Sequence, residues 1–195
     1  MALTAAAHRL IEAAFDSPGT LRALINAEPY LLAERTGLGE TPLHYLAVEN
    51  QLEAVQLLIA RGASVNTVND CGATPLSDAA SLGYAALVQL LLENGAELHV
   101  PGQNEPVLHG AVGHGTLPVV QQLLTAGASP NEADDMGRTP LHVAAQDDDR
   151  EAMLQLLLDA GAEPSRCDSF GDTPMDVANR CGSSRCAEIL AQRRE

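Results

Sequence analysis

At 195 residues the chain is long enough for one domain with a substantial core or for two small ones, and an apolar content of 46% excludes a disordered polymer. Aromatics make up only 3% and tryptophan is absent, so the core must be filled by Leu, Val, Ile and Ala, which suits close-packed helices better than a sandwich or barrel. The formal charge is −15 and all 11 basic residues are arginine, which argues against a nucleic-acid backbone as partner and permits a basic protein.

The chain opens "MALTAAAHRLIEAAFDSPG", where no basic stretch precedes the apolar run and His8, Arg9 and Glu12 interrupt it, so a signal peptide is not expected. No later run approaches the ~20 apolar residues of a membrane span. Four cysteines (71, 167, 181 and 186) without a secretory leader are expected as reduced thiols in the cytoplasm.

Further along, one pattern returns. "HRLIEAA" begins at His8, "TPLH" at Thr41, "TPLS" at Thr74, "PVLH" at Pro106, "TPLH" at Thr139 and "TPMD" at Thr173, at intervals of 33, 33, 32, 33 and 34. Each Thr-Pro start predicts a helix, because the hydroxyl can accept from the first free amides and Pro at the first position has a preset φ. Leu43, Leu76, Leu108 and Leu141 are then expected to point inward, and small pairs such as Ala79-Ala80 and Ala144-Ala145 permit close approach. A second helix is expected to end at Gly62, Gly95, Gly127 and Gly161, after which a segment such as "SVNTVNDCGA" reverses the chain.

The Thr-Pro starts and the "GA" helix ends, in register over essentially the whole chain, resemble the ankyrin repeat family. The resemblance implies an all-α repeat solenoid of stacked helix–turn–helix units with projecting β-hairpin or turn loops, and a concave face made by those loops and the first helices. It implies a single repeat domain over 1–195. Residues 1–40 form a degenerate N-terminal cap repeat, 41–172 four internal repeats and 173–195 a C-terminal cap.

No catalytic constellation emerges. His44, His109 and His142 share one offset, and a residue repeated every 33 positions serves the repeat, whereas a catalytic base is needed once beside a nucleophile. The resemblance implies that this imidazole bonds backbone groups between adjacent turns. Cys167, Cys181 and Cys186 lack zinc-ribbon or finger spacing, and Cys186 falls at an inward offset near that of Val55, Val88 and Val119. "DDD" at 147–149 lacks the pattern of a calcium loop and is expected as a solvated charge run at a one-residue insertion. A phosphate-binding loop is excluded by the absence of lysine. We therefore expect no enzymatic activity, no cofactor and no metal.

What the family resemblance implies instead is a protein-binding platform whose contacts lie at the loop tips and at the exposed ends of the first helices. At the tips these are Leu38, Glu40, Asp70, Cys71, Gln103, Glu105, Met136, Arg138, Phe170 and Asp172; at the helix ends, Leu82 and His114, with Val48, Glu49, Ser81, Gly113, Gln146, Asp147, Arg180 and Cys181 at equivalent offsets. Three residues before each start stand Leu38, Cys71, Gln103, Met136 and Phe170, four of them apolar. With ~10 Å between packed helices they would form a line of roughly 40 Å, rimmed largely by acidic residues. The expected partner is another protein with a basic and partly apolar contact surface, bound by a monomer without membrane or nucleic acid. A rival reading is a bacterial inhibitor or immunity-type protein that covers a basic enzyme or toxin. The fourth unit, with Pro106-Val107 for Thr-Pro and glycines at 102, 110, 113 and 115, is expected to be the least stable.

Overall fold

Wherever the sequence places Thr-Pro, a helix opens. In the computed structural model, which describes residues 5–114 and 116–193, Thr41, Thr74, Thr139 and Thr173 have extended backbone with Pro at the start of the following helix. The Ser77 N–H donates to Thr74 Oγ1 at 3.1 Å and the Asp176 N–H to Thr173 Oγ1 at 3.3 Å, covering amides that a helix start leaves unpaired. Parts of the leader, fourth-unit and C-terminal-cap readings fall on residues 1–4, Gly115 and residues 194–195, outside the described residues.

The chain divides into two units. In the first, Met1–Asn104, three helix pairs follow in order: α1 (Ala5–Asp16) and α2 (Pro18–Ala27), α3 (Pro42–Val48) and α4 (Leu52–Ala60), α5 (Pro75–Ser81) and α6 (Ala85–Glu93). First helices pack in the series α1–α3–α5 and second helices in the series α2–α4–α6. Leu10, Leu43, Leu46, Leu58, Leu87 and Leu91 are completely buried, each contributing about 2 kcal/mol. Ala47, Ala79 and Ala80 are equally buried and keep the helices close. Gly62 ends α4 at φ 92°, a left-handed conformation that lets the Ala63 N–H donate back to the Leu58 carbonyl at 3.0 Å. The first repeat departs from this pattern. His8 is exposed at the offset where Thr41 and Thr74 are buried, and Pro29, standing where Gly would be, leads α2 into a 3-10 turn at Pro29–Ala33.

The second unit, Glu105–Glu195, holds α7 (Val107–His114) and α8 (Leu117–Thr125), α9 (Pro140–Ala144) and α10 (Glu151–Asp159), α11 (Pro174–Cys181) and α12 (Ser184–Gln192). Again first helices pack as α7–α9–α11 and second helices as α8–α10–α12. Helix α7 forms without a Thr-Pro start and in spite of Gly110 and Gly113, because Val107 to Val112 are all buried. Tertiary burial outweighs a cost of about 1 kcal/mol per glycine.

The three aspartates at 147–149 are not simply a solvated run, and that expectation is corrected. Asp147 accepts from the Asp149 N–H at 3.0 Å and so starts a 3-10 turn at Asp148–Arg150. Asp148 Oδ1 accepts from the Arg185 and Cys186 amides at 3.0 and 3.2 Å, capping α12 from the preceding repeat. Arg150 then donates to the carbonyls of Val143 at 3.0 Å and Gly113 at 2.8 Å, bracing the ends of α9 and α7. The inserted residue makes room for this turn. Among the described residues no strand forms, so the projecting loops are turns, and no helix is long and apolar enough to cross a membrane.

Candidate functional site

The loop tips of the second unit are built by two aspartates. Asp134 Oδ1 accepts from the Met136 and Arg138 amides, both at 2.9 Å, and Asp168 Oδ1 from the Phe170 and Asp172 amides at 2.8 and 3.0 Å. Backbone bonds close each turn: the Asp134 N–H donates to Arg138 O, and the Asp168 N–H to Asp172 O, both at 2.9 Å. One tip is tied to the next by Ser169 N–H donating to Met136 O at 2.8 Å. At Gly137 (φ 75°), a Cβ would meet the Ser169 nitrogen at 3.0 Å, so only glycine fits this approach. With the polar backbone turned inward, the intervening side chains turn out. Met136 is 51% exposed and Phe170 76%.

Arg138 is committed to its own turn: its Nε donates to Asp134 Oδ2 at 2.8 Å and its terminal nitrogen lies 2.7 Å from the same oxygen. Burial raises the Asp134 pKa, but hydrogen bonds from Arg138 and the Met136 amide outweigh it and hold the carboxyl below its ordinary range. Asp172 pairs with Arg180. In the first unit, Asn69 replaces the aspartate, accepting from the Cys71 and Ala73 amides at 3.0 and 2.9 Å. There Leu38 is only 36% exposed, Asp70 and Cys71 are exposed, and Glu40 and Gln103 half-buried. Glu105 is exposed in the second unit. Leu82 and His114, both exposed, lie instead at the far ends of α5 and α7.

The repeated histidine ties each loop to the unit before it. The Thr41 N–H donates to His44 Nδ1 at 3.2 Å, so the proton sits on Nε2, which donates to Ala73 O at 3.2 Å. His142 repeats this with Thr139 at 3.0 Å and Asp172 O at 3.0 Å. Burial pushes both pKa values down, only partly offset by the accepting carbonyls. His109 keeps the second bond, to Arg138 O at 2.7 Å, but its buried Nδ1 has no partner. Pro106 stands where Thr41 and Thr139 stand, and proline has no N–H to give.

The thiols are dispersed. Cys71, Cys167 and Cys181 are exposed, while Cys186 is buried, with Sγ 3.4 Å from Asp147 O and its pKa pushed up to about 11, mainly by burial and then by the neighbouring acids. Among the described residues no three His, Cys, Asp or Glu side chains gather as metal ligands would.

Exposed apolar side chains also stand where only some were expected. At the ends of the first helices, Val48 is 40% and Leu82 48% exposed, as their offset implied, but Phe15, at 52%, continues the same row into the first repeat. Counted from His8 it falls at the same offset as Val48 from Thr41, though no Thr-Pro opens that repeat.

Comparison with known proteins agrees with the architecture. The family model for ankyrin repeats (3 copies) matches residues 10–101 and 108–195. The chain is 36% identical over 108 residues to a fowlpox virus (strain NVSL) protein named for its ankyrin repeats, covering 55% of this chain and 76% of that one. It is 35% identical over 133 residues to the B-cell lymphoma 3 protein homolog of Mus musculus, covering 66% and 30%. To the transient receptor potential cation channel subfamily A member 1 homolog of Caenorhabditis elegans it is 26% identical over 133 residues, covering 68% and 11%. The chain thus spans less than a third of the latter two relatives.

Proposed function

The chain belongs to the ankyrin repeat family, whose repeats are generally protein–protein interaction modules, and from that premise we propose that it is a non-enzymatic binding module gripping its partner with the loop tips of residues 105–195. One observation carries the reading: Met136 and Phe170 are held out in solvent by turns whose backbone is already satisfied. A partner therefore meets a preorganised apolar pair and little ordering cost. Phe170 supplies a bulky aromatic contact and Met136 an adaptable thioether. The net charge of −15 favours a partner whose contact surface is basic around an apolar centre.

The test is affinity capture from a lysate of the source cells with the wild type and with Met136→Asp/Phe170→Asp, after both baits show equal melting temperatures. A specific prey that is lost with the double variant supports the reading. The same prey retained by both baits sinks it.

A further inference from the structure

The first unit carries a second apolar row, on its helix ends. Phe15 closes the first helix of the first repeat, Val48 that of the second, and Leu82 caps that of the third; they are 52%, 40% and 48% exposed. Since α1 packs on α3 and α3 on α5, the three side chains stand one per repeat at ~10 Å steps.

Carboxylates flank the row. Glu12, three residues before Phe15, and Asp78, four before Leu82, share its helix faces, and Asp16 and Glu49 follow Phe15 and Val48 directly in the chain, to one side of it. The described arginines of this unit are engaged or elsewhere: Arg9 with Glu28 at 2.5 Å, Arg35 with the Gly39 and Val68 carbonyls at 2.8 and 3.0 Å, Arg61 with Asn26, and Arg22 on α2. Among the described residues His8 approaches the row, 3.1 Å from Glu12. Asp78 is half-buried with Glu40 as a like-charged neighbour, so a partner's cation would offset the repulsion between them.

We propose that the helix-end row Phe15–Val48–Leu82 is a docking surface for a basic amphipathic helix of another protein. It rests on the reading of this chain as a protein-binding module, but uses the other unit. The spacing selects a helix over a strand. Residues seven apart in a helix share a face and are ~10.5 Å apart, matching one contact per repeat. In a strand ~10 Å is three residues, and alternate contacts would point away. Arginine or lysine on both flanks of that helix would meet Glu12, Asp16, Glu49 and Asp78.

A labelled peptide of about 18 residues tests this, with Leu at three positions seven apart, Arg on both flanks and Ala elsewhere. Fluorescence anisotropy is read with the wild type, with Val48→Asp/Leu82→Asp, and with Met136→Asp/Phe170→Asp. The expected result is saturable, salt-sensitive binding to the wild type, weakened at least tenfold by the helix-end pair and changed less than twofold by the tip pair. No saturable binding overturns the proposal. So does equal binding of a peptide with the same composition in scrambled order, or a loss confined to the tip variant. Leu82→Ser serves as a milder probe should the double aspartate variant melt early. Failure here leaves capture by the tips intact, because that reading stands on the prey lost by the Met136/Phe170 variant alone.

Discussion

The two units use one repeat and fill two of its exposed offsets differently. In Met1–Asn104 the tips are modest, with Leu38 at 36% exposure, while the helix ends carry Phe15, Val48 and Leu82. In Glu105–Glu195 the tips carry Met136 and Phe170, while the helix ends hold His114, Asp147 and Arg180. The lesson is that the repeat fixes where a side chain stands, and leaves to each copy whether that place is oily, charged or neutral. Exposed offsets are free to vary because their backbone is already satisfied, by Asp134, Asp168 and Asn69 at the tips.

Within the second unit the histidines offer the largest effect with which to break this account. His142→Ala removes a group bonded at both nitrogens and should cost about 3 kcal/mol in denaturant unfolding, leaving the Thr139 amide and Asp172 carbonyl buried and unpaired. His109→Ala removes one bond and should cost about 1 kcal/mol less. Equal losses would show that the Thr amide contributes nothing. Pro106→Thr, by supplying the missing donor, should bring the two substitutions together.

Acid should separate the units next. The unfolded chain binds protons at histidine near the ordinary value of 6.5, whereas buried His44 and His142 resist it, so their contribution is complete above that pH and is lost as pH falls below it. Asp78 runs the other way. Burial, then Glu40, pushes it up to about 6 from an ordinary 3.8, so the folded state binds the extra proton and stability from this group rises as pH falls through that window. In the first unit Asp78 therefore acts as a counterweight to His44. Asp78→Asn should raise stability by about 1–2 kcal/mol at neutral pH, discounted for its partial exposure, with the gain fading toward pH ~4 in thermal melts. A gain that persists undiminished in acid would contradict this.

The smallest effect concerns α7. A Cβ at Gly113 would meet Val143 Cγ1 at 3.7 Å, ordinary contact, so Gly113→Ala should stabilise by about 0.5–1 kcal/mol. Amide exchange should slow over 107–114 in that variant, and in the wild type this helix should exchange faster than α5. Comparable protection of α5 and α7 in the wild type would remove the fourth repeat as the weak point.

Much of this is legible in the sequence. Thr-Pro starts, inward leucines and the glycine helix ends are local signals, and each acts within a few residues of where it is written. The tip offset of Met136 and Phe170 follows from the same register. Asp148 was not legible, because its partners are amides 37 and 38 residues further along the chain. Phe15 shares Val48's offset when counted from His8, but it is missed because the expected helix-end contacts are drawn only from the repeats that follow. The orphaned Nδ1 of His109 was implicit in Pro106, but only once the Thr41 and Thr139 amides were seen to face the ring did the missing donor have a consequence.

The central claim is that the tips of the second unit grip a protein partner. The most direct measurement is titration calorimetry of the purified prey against wild type, Met136→Asp/Phe170→Asp and Val48→Asp/Leu82→Asp. The account predicts at least a 30-fold loss of affinity, about 2 kcal/mol, with the tip variant at an unchanged melting temperature. Wild-type affinity in the tip variant would contradict it.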